Sequence, residues 1–490
     1  MKVQLVFAPP MVSARFGELG AQITPPLGLL YIAAWLRRNL PDVQLNVVDG
    51  MRRGYRRTIE QIKDFHPDVL GISFYTPVAL SAYKLANEVK ELFPKTLVVL
   101  GGPHATALPG EVLERSMADA VAIGEGELTM FELVCMFDKS GKDPKAMDYH
   151  KICGLTYWAD SQIRRSPPRN FIANIDTIPF PARDLVDMKE YSGWYVHKRL
   201  PETKMLMSRG CPYHCTFCDQ VVWKSSKPWV RFRTPKNIVD EIEVLAKEYG
   251  YREVMDDSDE FNNSVPHALA ICEEMQQRSL DIPWKTQLRA WPLPENLVKA
   301  MAEAGCWYVH LGIESGNPET LRGINKQITI EQVSEACRLL KKYNIQVLGL
   351  FMLFNVWEEG GKLCFEDVRK TRNTLHFAEN MIDQGLLDYI GWSVTTPYPG
   401  SQLYDIALKY DLIKPELRGQ WDAWLREDTF VMRLPGVDER EMARMKTIGQ
   451  ILRGKLILRS RRFGLKDIPF FAEKGVKLLY NELRSWSRTK

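Results

Sequence analysis

The sequence predicts an α/β protein: an N-terminal Rossmann-like domain, a partial (β/α)6 barrel and a C-terminal helical extension. Two runs of alternating strand-like and helix-like segments point to this. The first covers residues 1–140 and the second 201–410, with a connector at 141–200 and the extension at 411–490. A third observation says where the chemistry belongs. A tight cysteine trio follows directly on the first strand of the second run.

In the first run the strands read VQLVFA, VQLNVVDG, DVLGISF, LVVLGG and AVAIGE. Between them lie the helical patterns LGLLYIAAWLRRNL, TIEQIKDF and VALSAYKLANEVKELF. Strand-then-helix order predicts a parallel sheet covered on both faces. Ligands of such sheets sit beyond the carboxyl ends of the strands. Three of those ends carry small or turn-forming residues: SFYTP at 73–77, GGPHA at 101–105 and GEGE at 124–127. Glycine there lets a bulky ligand approach the backbone. The connector is mixed in composition, and IPFPARDLVD within it reads as a linker.

In the second run the strands read KMLMSRG, REVMDD, WKTQLRA, WYVHLGIES, IQVLGLFMLF and YIGWSVTTPYP. Helices such as TPKNIVDEIEVLAKEYG and TIEQVSEACRLLKKYN follow most of them. Six units make a partial barrel, and barrel sites gather at the carboxyl ends of strands. The loop GCPYHCTFCDQ lies at such an end, with Cys211, Cys215 and Cys218 spaced C-x3-C-x2-C. Three thiolates this close can hold three irons of a cubane cluster and leave the fourth open. A structural zinc site wants four ligands in two pairs, and no second pair is near.

This motif resembles the signature of the radical S-adenosylmethionine superfamily. The first run resembles the cobalamin-binding domain of one large branch, through PPLGLLYIAAWLR, VLGGPHATALP and AIGEGE. The resemblance implies three cofactors: a 4Fe-4S cluster on the cysteines, S-adenosylmethionine on its open iron, and cobalamin. It implies cobalamin contacts at Ser73, Tyr75, Thr76, Gly101, Gly102, Pro103, His104, Gly124, Glu125 and Gly126, with Tyr75 or Thr76 nearest cobalt. The D-x-H-x-x-G motif that supplies a lower cobalt ligand is absent, so cobalamin is expected without a protein histidine on the metal.

For S-adenosylmethionine the resemblance implies Phe217 by the adenine and Asp257 or Ser258 at the ammonium. It implies Arg289 at the carboxylate and Glu314, followed by Ser315, near the ribose or amine. Asp256, Asp259 and Glu260 read as structural. The fifth strand departs from relatives, ending in Phe354, Val356 and Trp357 where they are small and polar. That predicts either an apolar substrate wall or a cover on the barrel mouth.

The expected activity is methylation of an unactivated carbon or a phosphorus of a small-molecule or lipid substrate. In the family a 5′-deoxyadenosyl radical activates the substrate and methylcobalamin supplies the methyl group. Cyclisation, coupling or oxidation on the same scaffold, with a tetrapyrrole or lipid substrate, is the alternative enzyme reading. A non-catalytic cobalamin or redox sensor is a third. A low-potential electron donor such as flavodoxin or ferredoxin is implied as partner.

Composition fits a globular chain: 45% hydrophobic and 26% charged residues. The six remaining cysteines are scattered singly, and with the cluster motif they predict a reducing cytoplasm. No run reaches the roughly 18 apolar residues of a membrane span. The net charge of +4 is uneven: from Arg440 onward there are 14 Lys/Arg against 4 Asp/Glu. This basic, partly apolar tail predicts a cap on the barrel or a helix lying on an anionic membrane surface. No nucleic-acid recognition module is visible.

Overall fold

The computed structural model describes residues 1–11, 24–191, 196–424 and 429–459. Seven strands form the first sheet. β1 (Lys2–Phe7), β2 (Gln44–Asp49), β3 (Val69–Ser73), β4 (Leu97–Gly101) and β5 (Ala120–Ala122) are parallel, in spatial order β2-β1-β3-β4-β5. The inner strands β3, β4 and β5 are apolar on both faces because helices cover both, which is why they read as unbroken hydrophobic runs. In β1 and β2 the run is broken by Gln4 and Asn46, where the Gln4 amide donates to Asn46 Oδ1 at 2.8 Å.

Two antiparallel strands extend this sheet, β6 (Leu155–Ala159) and β7 (Gln162–Arg165). They lie inside the segment read as a connector. Their signal is a two-residue turn, Asp160–Ser161, with φ of 49° and 59°. Positive φ at both positions matches the twist of a hairpin, and Asp tolerates it better than most residues.

The second sheet is all parallel, in the order β8 (Glu202–Met205), β11 (Glu253–Asp256), β12 (Trp284–Leu288), β13 (Cys306–Glu314), β14 (Gln346–Leu353) and β17 (Tyr389–Val394). Two short additions carry the local detail. β9 (Ser208–Arg209) pairs antiparallel with β10 (Arg231–Phe232), and β15 (Val356–Glu359) with β16 (Lys362–Phe365). KMLMSRG is therefore two strands rather than one. The Ser258 hydroxyl accepts from the N–H groups of Met207 at 2.8 Å and Ser208 at 3.0 Å, which turns the chain out of the sheet ahead of the cysteine loop.

Residues of the β strands alternate between an outer face, packed on helices, and the barrel interior. The outer face shares one apolar core with the helices, and that core continues into the first domain. Trp421 closes the seam. Its indole N–H donates to Glu111 at 2.6 Å and its ring meets His104 at 5.1 Å.

The fifth-strand wall is not at a mouth. Phe354, Val356 and Trp357 are each no more than 1% exposed. Trp357 lies against Gly323, with Lys370 over its ring at 5.3 Å. These bulky groups fill the core beneath the β15–β16 hairpin, so the expectation of an apolar substrate wall is corrected. Helix Glu439–Arg459 packs Gly449 against Trp392 of β17 and buries Met442, Met445 and Leu452. This part of the tail is a cap; residues 460–490 lie outside the described residues. No described helix is long and apolar enough to cross a membrane.

Candidate active site between the two domains

A cavity of about 900 Å³ separates the strand ends of the first sheet from the cysteine loop. Ser73, Tyr75, Gly101, Gly102, Pro103, Gly124, Glu125 and Gly126 line one side. Lys204, Arg209, Cys218, Trp223 and Asp257 line the other. The loop of Pro25–Gly28, at the start of the first helix, forms part of the wall. Tyr75 is 53% exposed into this space, its ring set edge-on to Phe7.

Two expected cobalamin contacts are placed elsewhere. His104 and Thr76 are buried against each other, with His104 Nδ1 at 3.1 Å from Thr76 Oγ1 and Nε2 at 2.9 Å from Tyr83 Oη. The reason is helical: Pro103 starts a short helix that turns His104 away from the cavity. Burial, aided by the charge of Arg115, pulls this imidazole down to about 3, so it is neutral. His66 sits at the entry of β3, the end remote from the cavity, with its ring on Phe93. No described histidine lines the cavity.

Glu125 lines the cavity but is committed to ion pairs with Arg209 and Arg231, each at 2.8 Å. Burial would push its carboxyl up. The two guanidinium groups outweigh that and hold it below the usual range.

The cysteine loop starts at Gly210, whose φ of 89° and contact with the Trp229 carbonyl leave no room for a side chain. Cys211 is buried, and Cys215 and Cys218 are half-buried. Burial, with Glu260 adding, pushes the Cys211 thiol up to about 12, and burial holds Cys218 well above the ordinary thiol range. Both need a cation's charge to ionise, as metal-bound thiols do. No three ligating groups among the described residues converge on one point as around a single ion. A cubane asks for less convergence, because each thiolate holds a different iron.

Arg289 is the clearest polar vacancy beside this loop. Its guanidinium is 1% exposed, and Nε, Nη1 and Nη2 all lack hydrogen-bond partners. Tyr213, from the cysteine loop, covers it at 3.6 Å, and Glu260 makes only a long 3.5 Å ion pair. A buried guanidinium with three unused donors fits a carboxylate. Next to it Glu314, at φ 66°, pairs with Lys326 at 3.0 Å. Asp257 pairs with Lys204 at 2.9 Å on the cavity wall.

Two further candidates are already engaged in buried hydrogen bonds. Ser258 is used on the turn described above. Ser315 donates to Glu366 at 2.5 Å and belongs to a buried network with Asn317 and Thr374. Phe217 is half-buried against the core. The residues that sequence reasoning missed are Lys204, Arg209, Glu127, Tyr213 and Arg231. Arg209 stands two residues before the first cysteine and Glu127 in the same GEGE loop, and that proximity was the available signal.

The chain matches the B12 binding domain over residues 19–134 and the Radical SAM superfamily over residues 205–360. It is 33% identical over 448 residues to an uncharacterized methyltransferase of Pyrococcus horikoshii, covering 91% of this chain and 90% of that protein. It is 30% identical to the anaerobic magnesium-protoporphyrin IX monomethyl ester cyclase of Rubrivivax gelatinosus, over 79% of this chain and 67% of that one. The solved radical S-adenosylmethionine methyltransferase TsrM from Kitasatospora setae, with cobalamin and a [4Fe-4S] cluster bound, shares the fold. Its TM-score is 0.64 at 20% identity, covering 83% of this chain and 78% of that one.

A B12-binding sheet set against a cysteine-bearing partial barrel defines a class of radical enzymes that pair cobalamin with the cluster-and-S-adenosylmethionine chemistry. This chain belongs to that class, the cobalamin-dependent branch of the radical S-adenosylmethionine superfamily.

Proposed function

We propose that the protein methylates an unactivated carbon or a phosphorus of a small-molecule substrate. When bound, the cluster with S-adenosylmethionine supplies a hydrogen-abstracting radical and cobalamin supplies a methyl group. Cys211, Cys215 and Cys218 would hold the cluster. Arg289 would take the methionine carboxylate on its unused donors, and Glu314 and Asp257 would flank the cationic and hydroxyl groups of the same ligand. Ser73, Tyr75, Gly101, Gly102, Pro103, Gly124 and Gly126 would seat cobalamin. A low-potential donor such as flavodoxin or ferredoxin would provide the electron.

The single observation that carries this reading is the shared cavity, with the strand-end loops on one wall and Cys218 on the other. Burial in such a space keeps reactive species from water. Cyclisation on the same scaffold is the second reading, favoured by the identity to the Rubrivivax cyclase. Product mass separates the two, since only methylation adds CH2. Replacing all three cysteines by Ala should remove iron and abolish 5′-deoxyadenosine formation. Full iron content and continued cleavage in that variant would refute the cluster assignment.

A further inference from the structure

Four buried charges join the two domains beside the cavity. Glu125, in the loop after β5, accepts from Arg209 Nη1 and from both terminal nitrogens of Arg231, all at 2.8 Å. Glu127, two residues on, accepts from Arg209 Nη2 at 2.7 Å. All four side chains are almost fully buried. Arg209 stands two residues before Cys211, and Arg231 is its partner across the β9–β10 ribbon. The same loop also touches the segment that follows Cys218. A Cβ on Gly124 would lie 2.6 Å from Ser225 Oγ. One loop of the first domain thus grips both flanks of the cysteine loop.

Buried ion pairs are a poor source of stability, because desolvation takes back most of the attraction and apolar packing does as well. What paired guanidinium–carboxylate contacts add is fixed geometry. Rings reinforce it here: Tyr31 and Trp223 flank the Arg209 guanidinium at 4.9 and 6.0 Å.

We propose that Glu125, Glu127, Arg209 and Arg231 are positioning residues that lock the cobalamin-side loop to the cysteine loop and so set the separation of the two cofactors. The proposal rests on the cofactor reading given above. Apart from Arg231 Nε, which is buried without a hydrogen-bond partner, and a further bond from Arg231 Nη1 to the Ile172 carbonyl at 3.1 Å, these charges are spent on one another, so their part is to hold the frame rather than to touch reacting atoms.

The test uses the full chain loaded with the cluster and cob(II)alamin, reduced only far enough that the cluster gains one electron while cobalt stays Co(II). Magnetic coupling between the two paramagnetic centres falls steeply with distance, and its line shape in electron paramagnetic resonance reports how well that distance is defined. The wild-type protein should give one resolved splitting. Arg231→Met keeps the bulk of the side chain, and Glu125→Gln keeps an acceptor. Each should lose the resolved splitting while iron and cobalamin contents stay at the wild-type level. Glu253→Gln breaks another buried ion pair, with Lys285 at 3.2 Å at the opposite end of the barrel strands. It should leave the splitting intact. An unchanged splitting in both clamp variants with both cofactors bound overturns the positioning role. So does equal loss in all three variants, which would mean general loosening.

A second readout needs no cofactor. In the apoprotein, Glu125→Gln should speed amide hydrogen exchange at 123–127 and at 208–211 together. Acceleration at 123–127 alone overturns the lock. If the wild-type chain takes up neither cofactor, the cofactor reading fails and the exchange measurement still decides the clamp.

Discussion

Arg289 and His104 show how the same physical fact, burial, has opposite meanings at two residues. The Arg289 guanidinium is buried with no hydrogen-bond partner on its three nitrogens and only a long ion pair to Glu260, a state that normally costs several kcal/mol and so marks an expected ligand. Arg289→Met keeps the packing and removes the donors. Charged hydrogen bonds contribute about 1.5–3 kcal/mol, so S-adenosylmethionine binding should weaken about 10–100-fold. Equilibrium dialysis on cluster-loaded protein reads this; affinity equal to the wild type would remove Arg289 from the site.

His104 is buried and satisfied, and its chemistry is in stability. Its imidazole titrates near 6.5 in the unfolded chain and at about 3 when folded, as burial and Arg115 dictate. The unfolded state therefore binds the extra proton between those values. His104 leaves stability undiminished above pH 6.5, and destabilises the fold progressively as pH falls toward 3. The slope is about 1.4 kcal/mol per pH unit. Buried carboxyls with raised values, such as Asp256 and Glu366, act in the opposite sense. The difference between wild type and His104→Gln isolates the histidine. The wild type should lose more of its urea midpoint than the variant between pH 6.5 and 5. Parallel losses would contradict a neutral buried His104.

At the scale of elements, the cysteine loop depends on its entry. Gly210 occupies left-handed space that costs other residues roughly 1–3 kcal/mol, and a methyl group there would overlap the Trp229 carbonyl. Gly210→Ala should deform the loop and lower bound iron after reconstitution while far-UV circular dichroism is retained. Full iron content would show that the loop tolerates the shift. The element order of both sheets was legible in the sequence, because parallel strands buried on both faces leave long apolar runs between amphipathic helices. The β6–β7 hairpin was not. Its strands are short and mixed, and only the Asp160–Ser161 turn marks them. The fifth-strand end misled for a different reason. FMLFNVW is equally apolar whether it faces a mouth or a core, and only the packing of Trp357 on Gly323 decides between them.

For the whole molecule, the strand-end loops and the cysteine trio were readable one by one, but their meeting in one cavity was not. That meeting depends on Arg209, Arg231 and two glutamates, which in a sequence resemble any other charged residues. The fifth-strand end is core rather than an apolar substrate wall, and the described part of the tail packs on β17 as a cap. The central claim is that this cavity seats cobalamin with no protein histidine on cobalt. His104 faces inward to Tyr83 and Thr76, and His66 lies at the other end of β3. The most direct measurement is the electron paramagnetic resonance spectrum of cob(II)alamin bound to the full chain. The account predicts a bound Co(II) signal without nitrogen superhyperfine splitting, unchanged in His104→Gln. A split spectrum that loses its splitting when His104 or His66 is replaced would contradict it.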